Sequence, residues 1–244
     1  MRLEIGQSEF EQYLSLIGDG ISGLENWERQ IKAELGPSKP DALVILNANP
    51  FTTGQLYLAQ IASRRCTRLL VLVIQGKPES GGKGNHENTG IVFPFPERLK
   101  MAEEGLEGIP NATVLPSGPY IISRDDYPQG YLKKDYGAAQ AHGILDSMVL
   151  AHVCESLGIR TVFAGDEPRD ELSEIHLNSM RLQFQGSAIC LKVAERKRIG
   201  DRYISSSLAR LAMAEKNRDG LSSLVPEKTL EFILSGSSLR GLCS

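Results

Sequence analysis

From Asp41 onward the chain alternates short apolar runs with longer amphipathic stretches, and this alternation restricts the fold more than any single motif does. The runs Ala42–Asn47, Leu69–Ile74, Thr113–Leu115, Thr161–Ala164 and Ala188–Val193 have strand length and are apolar on both faces. Between them the spacing predicts helices over Thr53–Arg65, Glu97–Glu107, Gly137–Leu157, Glu171–Leu182, Ser205–Lys216 and Pro226–Leu234. Leu58, Ile61 and Ala62 give the first of these an inward face, as Leu230, Ile233 and Leu234 do for the last. A strand apolar on both faces must be covered on both, and alternating helices supply that cover. The expectation is a doubly wound parallel α/β sheet of the Rossmann type.

Ahead of Asp41 the period is helical. Ser8 with Glu11 three residues on has the form of a capping box, and Phe10, Tyr13, Leu14 and Ile17 share one face. Gly18 to Gly23 breaks the pattern, after which Leu24, Trp27, Ile31 and Leu35 line a second face that stops at Gly36-Pro37. The expected organisation is a helical N-terminal extension over 1–38, an α/β domain over 39–235 and a small polar tail over 236–244.

A net charge of −3 argues against a general nucleic-acid binder, which is usually basic. No apolar run reaches the roughly 18–20 residues that span a bilayer, so no membrane role is expected. The first residues lack the apolar core of a signal peptide. Cys66, Cys154, Cys190 and Cys243 form no CxxC pair and stand near no histidine at zinc-ligand spacing, so no metal site is expected. Unpaired thiols of this kind suit a cytoplasmic protein.

In an open parallel sheet, ligands sit outside the carboxyl ends of the strands where the strand order reverses. That rule puts the loops after Asn47, Ile74, Leu115 and Ala164 on one functional rim. The Gly-rich loop Gln75–Gly90 reads as a lid or as plain disorder, and His86 within it receives no role. Neither GxGxxG nor GxxxxGK[ST] occurs, and no GxSxG does, so dinucleotide, P-loop and simple hydrolase sites are not expected. What remains is a distributed set. Ile204-Ser205-Ser206-Ser207-Leu208-Ala209-Arg210 opens a helix, where free amides, hydroxyls and a nearby arginine can hold an anion. The same serines can equally be an ordinary helix cap.

Asn47-Ala48-Asn49-Pro50-Phe51-Thr52-Thr53-Gly54-Gln55 resembles the N-P-F-T-x-G-H signature of the nucleotidyltransferase superfamily. The match is closer to citrate lyase ligases, over roughly residues 40–235. It includes Phe95–Leu99, Tyr120–Arg124, Tyr131–Asp135, Phe163–Pro168, Ile204–Ser207 and Leu224–Pro226. The resemblance implies the nucleotidyltransferase variant of the Rossmann sheet. It implies ATP across the rim, with phosphates between the Thr52–Gln55 helix start and Ser205–Arg210. Asn47, Asn49, Pro50, Phe51 and Gly54 would belong to the nucleotide site, together with Ile204, Ser205, Ser206 and Ser207. The Gly165, Asp166 and Glu167 loop would meet adenine or ribose. Thr52, Gln55 and Arg210 would act on the phosphates, while Ser123, Arg124 and Lys134 would face the acid or acceptor. Lys134 beside Asp135 is equally a solvated surface pair. Attack on an α-phosphate needs reactants positioned and charge neutralised, which helix N-termini, an arginine and Mg²⁺ held mainly by phosphates and water supply.

Two departures stand out. Gln55 occupies the place of the family histidine, and a neutral donor in place of a charged one implies about 1–2 kcal/mol less transition-state stabilisation. That is about tenfold in rate, an adapted site rather than a dead one. Second, such ligases commonly carry an acetyltransferase-like domain before this one, where this sequence has the helical segment. The leading expectation is ATP-dependent activation of a small carboxylate such as acetate, with AMP and pyrophosphate released and an acyl-carrier protein as a partner. The alternatives are adenylyl or cytidylyl transfer from ATP or CTP to a phosphate or phosphonate acid, and nucleotide binding without turnover. His142, His152 and His176 read as packing or surface residues, with His176 the exception to watch because it follows the Gly165–Pro168 loop.

Overall fold

A computed structural model describes residues 5–37, 39–76, 93–121, 136–166 and 171–235. Two helices, α1 (Gln7–Ile17) and α2 (Gly20–Leu35), precede the sheet. Then follow β1 (Ala42–Leu46), α3 (Thr53–Ser63), β2 (Leu69–Val73), α4 (Phe95–Leu106) and β3 (Ala112–Pro116). The second half runs α5 (Tyr136–Leu157), β4 (Thr161–Gly165), α6 (Glu171–Phe184) and β5 (Cys190–Ala194). A two-residue-strand hairpin, β6 (Arg198–Ile199) and β7 (Arg202–Tyr203), leads into α7 (Ser206–Ala214), α8 (Arg218–Leu224) and α9 (Glu227–Ser235).

The sheet is parallel throughout, in the order β3-β2-β1-β4-β5. Ala42 of β1 sits opposite Leu69 of β2 on one side and Thr161 of β4 on the other. The chain steps outward from β1 to β3 and then returns to β1's other flank, so the strand order reverses between β1 and β4. β2 is buried at every residue and β1 at all but one, which is why both read as unbroken apolar runs. The edge strands β3 and β5 are half exposed, so their signal is weaker and β5 begins two residues later than expected.

Two cores sandwich the sheet. One joins Leu43, Leu70 and Leu72 to α1, α2, α5 and α6; the other joins Val44, Leu46 and Val71 to α3, α4 and α7–α9. α3 presents Ala59 and Ala62 as its buried residues, with Leu58 and Ile61 only partly buried, so small side chains bring it close to the strands. At the amino end of β1 the Asp41 carboxylate accepts from the Thr67 and Arg68 N–H groups at 3.0 and 2.8 Å. Burial works to raise its pKa, but these backbone bonds outweigh burial and hold the carboxyl below the usual range. Burial pushes the Cys66 thiol up to about 11 and the Cys154 thiol to about 12, so both are inert thiols at neutral pH.

The N-terminal helices depart from the expectation in detail. α1 begins at Gln7 with Gly6 as its cap and no side-chain cap bond, so Ser8 lies inside the first turn and no capping box forms there. The break before α2 is shorter than the Gly18–Gly23 stretch, because Gly23 is already helical. Glycine at 23 is required by Tyr120: a Cβ on Gly23 would stand 2.0 Å from the Tyr120 hydroxyl oxygen. That hydroxyl accepts from the Asp19 N–H at 3.1 Å, and the Tyr120 and Trp27 rings lie 6.2 Å apart. Polar ties add to the seam, since the Tyr13 hydroxyl donates to Asp146 and the Ser156 hydroxyl to buried Glu28. His152 and His176 flank the same two carboxylates, His152 at 3.5 Å from Glu28 and His176 at 3.8 Å from Asp146. α8 and the β6–β7 hairpin are additions that the sequence pattern did not reveal. Among the described residues no helix is long and apolar enough to cross a membrane.

Candidate functional site

Beyond Leu46 the chain leaves the sheet through Asn47 and Ala48, the latter at φ +52°, and passes a cis Asn49–Pro50 bond into α3. Asn49 is 2% exposed; its Oδ1 accepts from the Phe93 N–H at 3.0 Å. Phe51 is fully buried and faces α4, where a Cβ on Gly105 would come within 2.4 Å of its ring. Phe51 therefore anchors the turn from below. Thr52 caps α3: its Oγ1 accepts from the Gln55 N–H at 3.3 Å, while Gln55 Oε1 accepts from the Thr52 N–H at 3.0 Å. This is a complete capping box with glutamine at its third helical position. The next two amides, those of Thr53 and Gly54, lie where a helix has no internal acceptor to offer.

A cleft of about 260 Å³ opens over this turn. Asn47, Thr52, Gly54 and Gln55 line it from the β1–α3 side, and Gly165 lines it at the end of β4. It thus lies at the switch point between β1 and β4. Gly54 and Gly165 share a further trait. A Cβ on Gly54 would meet Ile204 only at ordinary contact distance, 3.4 Å, and one on Gly165 would meet nothing. Neither residue has a positive φ. Nothing among the described residues demands glycine at either place, and both glycines line the cleft.

The far wall comes from the segment after β5. Glu195, Arg196 and Lys197 line the cleft, and the Lys197 ammonium lies 5.9 Å from the Tyr57 ring centroid. The Asp166 carboxylate accepts from the Arg196 N–H at 2.9 Å, and the Arg196 Nε–H donates to the Ile204 carbonyl at 3.2 Å. These contacts fix the turn between β5 and the hairpin. Sequence reasoning passed over Arg196 and Lys197, although the charged run 195–198 follows a predicted strand on the same rim.

The helix start at Ser205 answers the question between cap and anion site in its own way. Ser205 is the α7 cap, its Oγ accepting from the Leu208 N–H at 3.0 Å. The Ser206 hydroxyl donates to the Pro50 carbonyl at 3.0 Å. Arg210 is only 8% exposed; it donates to the Asn49 carbonyl at 2.6 Å and to the Ser207 hydroxyl at 3.1 Å. The two segments, 156 residues apart at their closest bond, are therefore joined directly. Ile204 lines the cleft, whereas the three serines and Arg210 do not.

Arg98 had no assigned role. It lies in α4, 8% exposed, and its guanidinium donates to the Asn47 carbonyl and Asn47 Oδ1, both at 2.8 Å. It also reaches the carbonyls of Ile74 at 2.7 Å, Gln75 at 3.0 Å and Phe93 at 3.2 Å. One side chain thus ties the exits of β1 and β2 together. Glu167, Ser123, Arg124, Lys134, His86 and Cys243 lie outside the described residues, as does the 75–90 loop beyond Gly76. Among the described residues no group of three or more His, Cys, Asp or Glu could hold a metal ion.

Comparison with known proteins agrees with this geometry. The model of the citrate lyase ligase C-terminal domain matches residues 41–233. The [citrate [pro-3S]-lyase] ligase of Klebsiella pneumoniae is 27% identical over 86% of this chain and 60% of its own length. That of Haemophilus influenzae is 28% identical over 78% of this chain and 55% of its own. The chain thus spans about 60% or less of these curated relatives. The crystal structure of Thermotoga maritima TmcAL bound with alpha-thio ATP superposes with a TM-score of 0.51 at 15% identity, covering 79% of this chain and 55% of that one. This last is a likeness of fold. With the family model matched across the whole sheet and its cleft, the chain belongs to the citrate lyase ligase C-terminal domain family.

Proposed function

We propose that the cleft binds ATP and uses it to activate a small carboxylate such as acetate, releasing pyrophosphate and AMP in the manner of a citrate lyase ligase. The observation that carries this reading is the cleft at the switch point between β1 and β4, where Gly54 and Gly165 put bare backbone on its lining. A triphosphate would lie against the Thr53 and Gly54 amides at the positive end of α3. Ile204, immediately before the α7 cap, brings a second helix N-terminus to the edge of the same cleft. Arg196 and Lys197 on the far wall would neutralise charge as the carboxylate approaches the α-phosphate. Mg²⁺ fits as an ion carried mainly by phosphates and water, with Glu195 the carboxylate that lines the cleft. An acyl-carrier thiol would then take the acyl group and free AMP. The relatives' printed names and the nucleotide in the TmcAL structure support this reading.

Nucleotidyl transfer to a phosphate or phosphonate acid is a second reading, favoured by Arg196 and Lys197, two cations facing one cleft. One assay separates the two. The protein is incubated with Mg²⁺ and ATP or CTP alongside acetate, other short carboxylates and a panel of phospho- and phosphono-acids. Pyrophosphate with an acyl-adenylate or free AMP is the expected result, in the presence of acetate. A stable nucleotidylated phosphate acid would favour the second reading. No turnover across the panel, with nucleotide still raising the melting temperature, would leave a binding protein.

A further inference from the structure

Between Glu195 and Tyr203 the chain carries four cations, Arg196, Lys197, Arg198 and Arg202, against two acids, Glu195 and Asp201, although the whole chain has a net charge of −3. No residue of this segment is buried. Within it the β6–β7 hairpin pairs Arg198 with Tyr203 and Ile199 with Arg202. Its turn is Gly200-Asp201, with Gly200 at φ +55° as a tight hairpin turn requires. A two-stranded ribbon of this size is not stable by itself. It is held at its base, where the Ile204 N–H donates to the Lys197 carbonyl at 3.0 Å. Lys197 and Ile204 both line the cleft, so both ends of the hairpin are rooted in the cleft wall.

The outer surface of the ribbon has the make-up of a contact. Ile199 is 40% exposed, with Arg198 beside it in sequence and Arg202 opposite it in the ladder. The Arg198 guanidinium lies over the Tyr203 ring, 4.2 Å from its centroid, which holds it on the ribbon. Among the described residues no acid pairs with Lys197, Arg198 or Arg202. A lone exposed aliphatic is ordinary, but one set between two arginines without acid partners matches an interface centre, where arginine is enriched.

We propose that the β6–β7 hairpin is a docking surface for an acidic protein, the one that brings the acceptor thiol to the cleft. This rests on the ligase reading, which needs such a delivery, and adds to it the surface that receives the carrier and the charge of the face that meets it. Charge complementarity selects the occupant. Arg198 and Arg202 call for carboxylates and Ile199 for an apolar spot between them, a combination that a protein surface offers and a phosphate backbone does not. A reader of nucleic acid is usually basic as a whole, and this chain is acidic. Delivery is short, because the first strand of the hairpin follows directly on Lys197 of the cleft wall.

The probe is the purified acyl-carrier subunit of citrate lyase with its thiol free, titrated against the whole chain, with ATP binding measured in parallel. The variants are Arg198→Glu with Arg202→Glu, the same pair changed to Gln, and Ile199→Ser; none of these residues lines the cleft. Charge reversal should weaken carrier binding about tenfold or more and the other two variants about threefold or more, with ATP affinity unchanged. Wild-type carrier binding should weaken as salt is raised, and the glutamine pair should flatten that dependence. The hairpin buries no side chain, so melting temperatures should stay at the wild-type value. If the reversal lowers its own, the glutamine pair and Ile199→Ser decide. Unchanged carrier binding in these variants overturns the proposal, as does a wild type that does not bind the carrier. So does a different occupant, either a dimer of this chain that the reversal dissociates or an RNA oligonucleotide that displaces the carrier. ATP affinity lost in step with carrier affinity assigns the hairpin to the nucleotide site and overturns the proposal too. A wild type that binds the carrier through the hairpin but binds no ATP overturns the nucleotide reading and leaves the docking surface standing.

Discussion

The starts of α3 and α7 look alike in sequence, and they do opposite things. Each is an N-terminus capped by a hydroxyl, Thr52 in one and Ser205 in the other, accepting from the N–H three residues on at 3.3 and 3.0 Å. Each is followed by small polar residues. The first turn of α3, however, is turned outward, with Thr52, Gly54 and Gln55 on the cleft. The first turn of α7 is turned inward: Ser206 holds Pro50, Ser207 holds Arg210, and Arg210 holds Asn49. One helix start opens on the cleft; the other braces the loop beside it. Hydroxyls, free amides and an arginine are the ingredients of both an anion site and a buried tie. What separates them is where the hydrogen-bond partners lie, and that is a tertiary fact.

The comparison breaks most visibly at Arg210. Replacing it by methionine keeps much of the volume but strips the Asn49 carbonyl and the Ser207 hydroxyl of a charged donor in a nearly closed site. The expected cost is roughly 2–3 kcal/mol of stability, read from urea unfolding. If stability is unchanged while ATP affinity falls, Arg210 serves the ligand and the brace assignment is wrong.

A smaller and more pointed contrast sets the two caps against each other. Thr52→Ala and Ser205→Ala should each cost about 1 kcal/mol of stability. Only Thr52→Ala should also reduce nucleotide binding directly, because Thr52 alone of the pair lines the cleft. Equal effects on affinity would mean that the α7 start touches the ligand after all. Unfolding midpoints paired with binding isotherms decide it.

Much of this arrangement is legible in the amino-acid sequence. The parallel sheet follows from strands apolar on both faces, because burial on both sides leaves no room for a polar alternation. Position along the rim follows from topology. The short elements escape: α8 has seven residues and only Leu221 and Leu224 buried, too few turns for a period to show. Arg196 and Lys197 could have been found by extending the rim rule to β5. Arg98 could not. Its partners are carbonyls at 47, 74, 75 and 93, and backbone oxygens leave no mark in a sequence. The capping box at Thr52–Gln55 is also legible, since Thr-x-x-Gln has that form, and Gln55 keeps the cap where a family histidine would carry charge.

The mildest substitution for the fold is the sharpest for the cleft. Gly54 lies in the first turn of α3, and a Cβ there meets Ile204 only at contact distance. Alanine is the better helix former by up to about 1 kcal/mol, and it restricts the unfolded chain as well. Gly54→Ala should therefore leave the melting temperature unchanged or slightly raised. On the nucleotide reading a phosphate approaches this backbone and the added methyl crowds it, so ATP affinity should fall by tenfold or more. Alanine in the first turn of α7, by Ser206→Ala, costs the Pro50 bond and so lowers stability by about 1 kcal/mol with little change in affinity. Opposite signs on stability and opposite ranks on affinity, from two alanines in two first turns, are what an open and a bracing helix start require. An alanine at 54 that binds ATP as tightly as glycine would mean that nothing approaches α3 closely, and the cleft would lose its ligand.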